Sequence, residues 1–173
     1  KTGTVTTGKM ALVGVTVADG VDEAEALRLA GALEHASEHP IAQAIARAAG
    51  EGLPVPEGFA NREGLGVEGV VDGHAVVVGR PALLADWAMY LDPALEAARV
   101  AAEANGQTAV AVGWDGQTAA VLAVADTVKP TSAEAIEHLR ELGLRPVLLT
   151  GDNEATARAV AAEVGIDEVI AEV

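Results

Sequence analysis

The sequence predicts an α+β region, an antiparallel sheet flanked by helices, running into a shorter α/β region. Three observations carry that expectation. Two Asp-Gly pairs, Asp72-Gly73 and Asp115-Gly116, each sit between runs rich in Val and Ala, the strongest short-range signal for a β-hairpin. Elsewhere apolar residues recur at helical spacing, as at Ile41, Ala44, Ile45 and Ala48. From Val121 onward the order becomes strand, helix, strand, helix, strand with short connections, which reads as half of a doubly wound parallel sheet.

Taken in order, Met10–Val17 is rich in Val and Leu and reads as a strand. Asp22 precedes a helix with Ala26, Leu27, Ala30 and Leu33 on one stripe. Pro40 breaks that helix and restarts it, and Gly50 and Gly52 close the second piece. Residues 51–63, punctuated by Pro and Gly, read as loop. Val67–Val71 and His74–Val78 form the first hairpin, Pro81–Ala88 and Pro93–Asn105 read as helices, and Thr108–Trp114 with Gln117–Asp126 form the second strand pair. Val121–Asp126 doubles as the first strand of the α/β part. Thr131-Ser-Ala-Glu134 is a capping box for a helix that stops at Gly143. Pro146–Leu149 is expected to be a short buried strand. The following helix, capped by Asp152 or Asn153, carries Ala157, Val160, Ala161 and Val164 and ends at Gly165; Glu168–Ile170 begins a third strand.

Composition narrows the function. The chain of 173 residues suits one domain or two small ones. Half its residues are apolar, and its aromatic residues are only Phe59, Trp87, Tyr90 and Trp114, with a formal charge of −15. Nucleic acid is excluded as a partner, since a phosphate backbone calls for a basic surface and single strands for stacking rings. A nucleotide is not excluded, because backbone N–H groups, a helix terminus or Mg²⁺ can face its phosphates. There is no cysteine, the four His residues are scattered, and no apolar run approaches the roughly 20 residues of a membrane span. The polypeptide reads as soluble and intracellular, which leaves open a longer parent anchored in a membrane.

Four motifs hold chemistry or imitate it. Gly3-Thr-Val-Thr-Thr-Gly8-Lys9 fits the spacing of a phosphate-binding P-loop, but Met10 replaces the Ser or Thr that holds Mg²⁺ and a strand pattern follows where a helix is needed. Gly64-Leu-Gly66-Val-Glu-Gly69 matches a dinucleotide fingerprint yet leads into a hairpin. Its glycines serve either a turn before an edge strand or the close approach of a ligand. In Ser37-Glu-His39-Pro40 the proline pushes His39 out of helical geometry and suits the first turn of the next helix. His39 then stands beside an anion-friendly helix terminus with Glu34 about one turn earlier, or it is a local cap beside a solvated charge. Thr150-Gly151-Asp152 follows a strand, at the carboxyl end where open parallel sheets bind ligands; Asp152 is either chemical or a helix cap. His35, His74, His138 and the acidic run Asp22–Glu25 read as surface, and Trp87 and Trp114 as packing residues.

Together with Val78-Gly79, Gly106-Gln-Thr-Ala-Val110 and Ala125-Asp126-Thr-Val-Lys129-Pro130, the segments Lys1-Thr-Gly-Thr-Val-Thr, Ser37-Glu-His-Pro40, Gly64-Leu-Gly66 and Thr150-Gly-Asp-Asn153 span the chain. In order and approximate spacing they resemble the cytoplasmic ATP-binding region of heavy-metal-translocating P-type ATPases. Thr6-Thr-Gly-Lys9 and Gln107–Gly113 are most similar to copper pumps. The resemblance implies a haloacid dehalogenase-like, Rossmannoid phosphorylation (P) domain, partial here as residues 1–9 and 124–173, split by an inserted nucleotide-binding (N) domain at 10–123. It implies that His39 orients ATP near the adenine with Glu34 beside it, that Gly64 and Gly66 admit the nucleotide, and that Gly79 shapes the pocket. Thr150, Gly151 and Asp152 would belong to the phosphoryl-transfer site, Asp126 and Lys129 to the hinge, and the Thr2 carbonyl to Mg²⁺. ATP and Mg²⁺ are the implied ligands, and the partners are the membrane, actuator and metal-binding parts of the same pump, on whose cytoplasmic face this region would lie.

In that family the Lys-Thr-Gly-Thr motif follows the Asp that takes the phosphoryl group, and Lys1 is the first residue here. The family's later Lys and Gly-Asp-Gly motif are not among the 173 residues either. The expectation is therefore ATP binding without phosphoenzyme formation. Two rival readings are a soluble haloacid dehalogenase-like phosphatase with a large cap, which needs a second Asp where Thr2 stands, and a non-enzymatic nucleotide-binding module.

Overall fold

In the computed structural model, which describes residues 1–152 and 154–173, the chain begins with β1 (Thr6–Val17), α1 (Glu23–Glu34) and α2 (Pro40–Ala49). It continues through β2 (Glu57–Arg62), β3 (Gly66–Val71), β4 (His74–Gly79), α3 (Pro81–Asp86) and α4 (Pro93–Ala104). Then come β5 (Thr108–Trp114), β6 (Gln117–Val128), α5 (Ser132–Glu141), β7 (Val147–Leu149), α6 (Glu154–Val164) and β8 (Glu168–Ile170). Six strands form one antiparallel sheet in the order β1-β6-β5-β4-β3-β2, while β7 and β8 pair in parallel.

Local chemistry accounts for the element ends. Asp22 and Asp92 accept from the backbone N–H groups of Glu25 and Leu95, capping α1 and α4. Both hairpins turn through Asp-Gly pairs with positive φ at both residues, 50° and 83° at Asp72-Gly73, 50° and 84° at Asp115-Gly116. That is the left-handed geometry of a two-residue type I′ turn.

Alternation along the strands sorts side chains between two faces. Val76, Val78, Val110 and Val112 meet Leu29, Leu33 and Ile45 of α1 and α2, whereas Val77 and Ala111 meet Leu83, Leu84 and Met89 around α3. A separate apolar cluster joins Ile136, Leu148, Ala157, Val160 and Val164, with Val5 and Val128 packed against it. The 12-residue strands β1 and β6 link this cluster to the large sheet.

The structure departs from the sequence reading at five places. Residues 57–62, expected as loop, form β2, because the free edge of β3 supplies a partner that the composition of EGFANR does not announce. Val121–Asp126 stays within β6, antiparallel to β1 and β5, so the parallel sheet comprises only β7 and β8. The capping box does not form: Thr131 is αR with no side-chain cap, and Ser132 Oγ instead donates to Val5 O at 2.7 Å. The strand expected to be buried at 146–149 begins at Val147 and buries Leu148 alone, leaving Val147 and Leu149 exposed. Trp87, expected to pack, is 46% exposed and anchors by its indole N–H. Of the two caps expected for α6, Asn153 lies outside the described residues.

Candidate functional site

A cavity of about 750 Å³ opens beside the sheet, and Glu34, His39, Gly64, Gly66 and Gly79 all line it. That size suits a nucleotide-sized ligand. Glu34 is the last residue of α1 and is 6% exposed. Burial alone pushes its carboxyl up from the ordinary 4.5 to about 7, since desolvation disfavours the charged form. His39 sits at the N-cap of α2, extended at φ −64° and ψ 137° ahead of Pro40. Its Nδ1 accepts from the backbone N–H of Ile41 at 3.2 Å. With Nδ1 accepting, Nε2 carries the ring proton and is left as a donor.

The glycines have their own structural reason. Gly66 pairs with Gly79 across β3 and β4. A Cβ on Gly66 would meet Val78 O at 2.2 Å, and one on Gly79 would meet Leu65 O at 2.2 Å. Close backbone crossing therefore requires both, and it leaves bare backbone in the cavity wall against which a flat ring can lie. Gly64 has open space around it and a φ of +71°, the mark of a turn glycine.

A second cluster lies where β7 ends. Thr150, 8% exposed, donates its hydroxyl to Asp152 Oδ2 at 3.0 Å and accepts from the Asp152 backbone N–H at 3.1 Å. The buried Lys1 ammonium pairs with the same carboxylate oxygen. Lys1, and secondarily Thr150, hold the Asp152 carboxyl below its ordinary value against the opposing effect of burial. Gly151 lies in the bend between them.

Asp126 and Lys129 tie the opening segment to the end of β6. Asp126 accepts from Thr6 Oγ1 at 2.5 Å and from the Gly8 N–H at 3.0 Å, filling the bulge in β1 between Thr6 and Met10. Lys129 Nζ donates to Gly3 O at 2.6 Å. The glycine that imitates a P-loop thus spends its N–H on a protein carboxylate, and a strand follows it.

A family model described as a haloacid dehalogenase-like hydrolase matches residues 1–173. The chain belongs to that family. Its homologues include a copper-transporting P-type ATPase of Rhizobium leguminosarum bv. viciae, 47% identical over 100% of this chain and 21% of the relative. A probable copper-exporting P-type ATPase V of Mycobacterium tuberculosis is 46% identical over 100% of this chain and 23% of its own length. The chain thus spans about a fifth of the curated relatives it matches. Among solved structures, a zinc-transporting PIB-type ATPase in the E2.Pi state aligns with a TM-score of 0.90 at 35% identity, covering 100% of this chain and 28% of that one. The N-domain of HMA6, a copper-transporting P-type ATPase, aligns at 0.57 and 25% identity, covering 67% of this chain and 98% of that one.

For this haloacid dehalogenase-like chain the Mg²⁺ expectation fits poorly. Thr2 lies exposed in the opening turn, Asp152 is taken by Lys1, and no three acidic, His or Cys side chains among the described residues gather around one point. Mg²⁺ is usually held by one or two carboxylates, with water and substrate oxygens completing its octahedron, and here the carboxylate on offer is already paired with Lys1. Sequence reasoning also missed Arg62, Arg80, Glu103 and Gln107, which line the cavity. Gln107 lay within a motif already singled out; the arginines followed no pattern in the sequence.

Proposed function

We propose that these residues are the ATP-binding region of a P-type ATPase that moves a heavy metal, with copper the favoured cargo. The observation that carries this reading is the cavity, whose wall gathers Glu34, His39, Gly64, Gly66 and Gly79 from three separate stretches of sequence. Residues 10–123 would be the nucleotide-binding domain, and 1–9 with 124–173 parts of the phosphorylation domain. The two apolar clusters joined by β1 and β6 support that division.

The chemistry follows from the residues. Glu34 and the Nε2–H of His39 bracket an aromatic base that lies over the bare backbone of Gly66 and Gly79. In the parent, an Asp just before Lys1 attacks the γ-phosphorus and the bond to ADP breaks, leaving an aspartyl phosphate. The Lys1 ammonium stands near that point as a positive charge, and Asp152 holds both it and the Thr150 hydroxyl, whose proton it accepts. Hydrolysis of the intermediate drives the metal across a membrane, with this region on the cytoplasmic side and the rest of the pump as its partner. A polypeptide of these 173 residues holds nucleotide and takes up no phosphoryl group.

Calorimetric titration with ATP tests the site. His39→Asn keeps a side chain able to cap Ile41 but removes the Nε2 donor, and His39→Ala removes both. Both variants are expected to weaken ATP binding about tenfold, the worth of one buried hydrogen bond to a fixed ligand, while only His39→Ala lowers the melting temperature. Unchanged affinity in both refutes the assignment of the cavity.

A further inference from the structure

The cavity wall carries two guanidinium groups, Arg62 and Arg80, in a chain with 11 Lys and Arg against 26 Asp and Glu. The two differ in how they are held. Arg80 stands exposed ahead of α3. Arg62, at the end of β2, donates from Nε and Nη2 to Glu68 Oε1 at 3.0 and 2.5 Å. Glu68 lies on the neighbouring strand β3 and is 8% exposed. Its other oxygen, Oε2, accepts the Trp87 indole N–H at 3.1 Å. Arg62 first, and then Trp87, hold that carboxyl below its ordinary value against burial. An ionised carboxylate fixed by an indole thus fixes the arginine.

A guanidinium has five N–H donors in a rigid fork. Two are spent on Glu68, and three remain on a side chain that lines the cavity and is 56% exposed. The cavity is therefore polarised. Its buried end holds the Glu34 carboxyl, which forms no ion pair among the described residues and is shifted by burial; that suits an uncharged ring bearing an amine. Its open side holds a pre-aimed arginine, which suits an oxyanion.

We propose that Arg62, positioned by Glu68 and Trp87, binds the phosphate chain of the nucleotide in this cavity, with Arg80 adding charge on the same wall. The proposal rests on the reading of the cavity as a nucleotide site and adds to it the group that distinguishes nucleotides by their phosphates. The competing account makes Arg62 and Glu68 a sheet-edge ion pair of little energetic weight, and predicts the same effect on every ligand.

Calorimetric titrations of the 173-residue chain with ATP, ADP and adenosine separate the two. Arg62→Gln is expected to weaken ATP and ADP about tenfold and adenosine less than twofold, one charge-assisted contact being worth about a decade. Arg62→Lys, which keeps the charge without the fork, should fall between Gln and wild type. Glu68→Gln should weaken ATP in the same direction by less, leaving adenosine unmoved. Equal weakening of adenosine and ATP by Arg62→Gln, or weakening of neither while wild type binds ATP, overturns the role of Arg62 and leaves the nucleotide site standing. A wild-type chain that binds neither ATP nor adenosine overturns the site and this proposal together.

Discussion

Replacing Glu34 with Gln is expected to remove a pH-dependent penalty from the folded state. Glu34 ionises at its ordinary 4.5 in the unfolded chain and at about 7 in the folded one. Because the folded value is raised, folding carries no penalty while both states are protonated, below about 4.5. As pH rises from there to about 7 the unfolded chain loses its proton first, and stability falls. Above about 7 both states are charged and the penalty is constant. A gap of roughly 2.5 units at 1.36 kcal/mol each is worth about 3 kcal/mol, reached in full only above pH 7. Urea denaturation of wild type and Glu34→Gln at pH 4 and pH 8 reads it directly. Any fixed cost of the buried amide appears at both pH values and cancels, as does the titration of every other group. The variant should therefore gain about 3 kcal/mol on wild type between the two conditions. Parallel pH profiles would show that Glu34 titrates as a solvated carboxyl, and the desolvation argument would be wrong.

Three further outcomes test other parts of the structure. Gly66→Ala should cost at least about 3 kcal/mol, because its Cβ would lie 2.2 Å from Val78 O, whereas Gly64→Ala, with open space around it, should cost only the roughly 1 kcal/mol of left-handed strain; thermal melts compare them. Ser132→Ala should lose about 1 kcal/mol with its bond to Val5 O, and Thr131→Ala should change stability by less than about 0.5 kcal/mol, since that hydroxyl caps nothing; the opposite order in chemical denaturation would restore the capping box. Gly106→Ala would place a Cβ 2.2 Å from Thr156 Cα. Hydrogen exchange should then quicken in α6 while β4 and β5 keep their protection, and uniform protection in both would show that this contact does not hold α6.

Much of the fold was legible because its signals are local. Asp22 caps α1, Pro40 opens α2 behind His39, and the Asp-Gly pairs turn the hairpins. Each acts on torsions within a few residues and needs no partner from elsewhere. Chain order and spacing also carried the family, and placed Glu34, His39, Gly64, Gly66 and Gly79 among the candidates that line one cavity. The short edge strand β2 was not legible, because a free strand edge nearby, rather than its own composition, makes it a strand.

What the tertiary structure decided was the partner of each polar group. Asp152 pairs with Lys1, 151 residues away in the chain. Gly8 gives its N–H to Asp126 and Ser132 its hydroxyl to Val5. Glu68 becomes the hinge between Arg62 and Trp87 only once β2, β3 and α3 are packed. Sequence periodicity reports which face a residue presents, a property of its immediate torsions. A carboxylate has several lone pairs to fill, and which donor fills them depends on where distant segments cross, information that no local pattern contains.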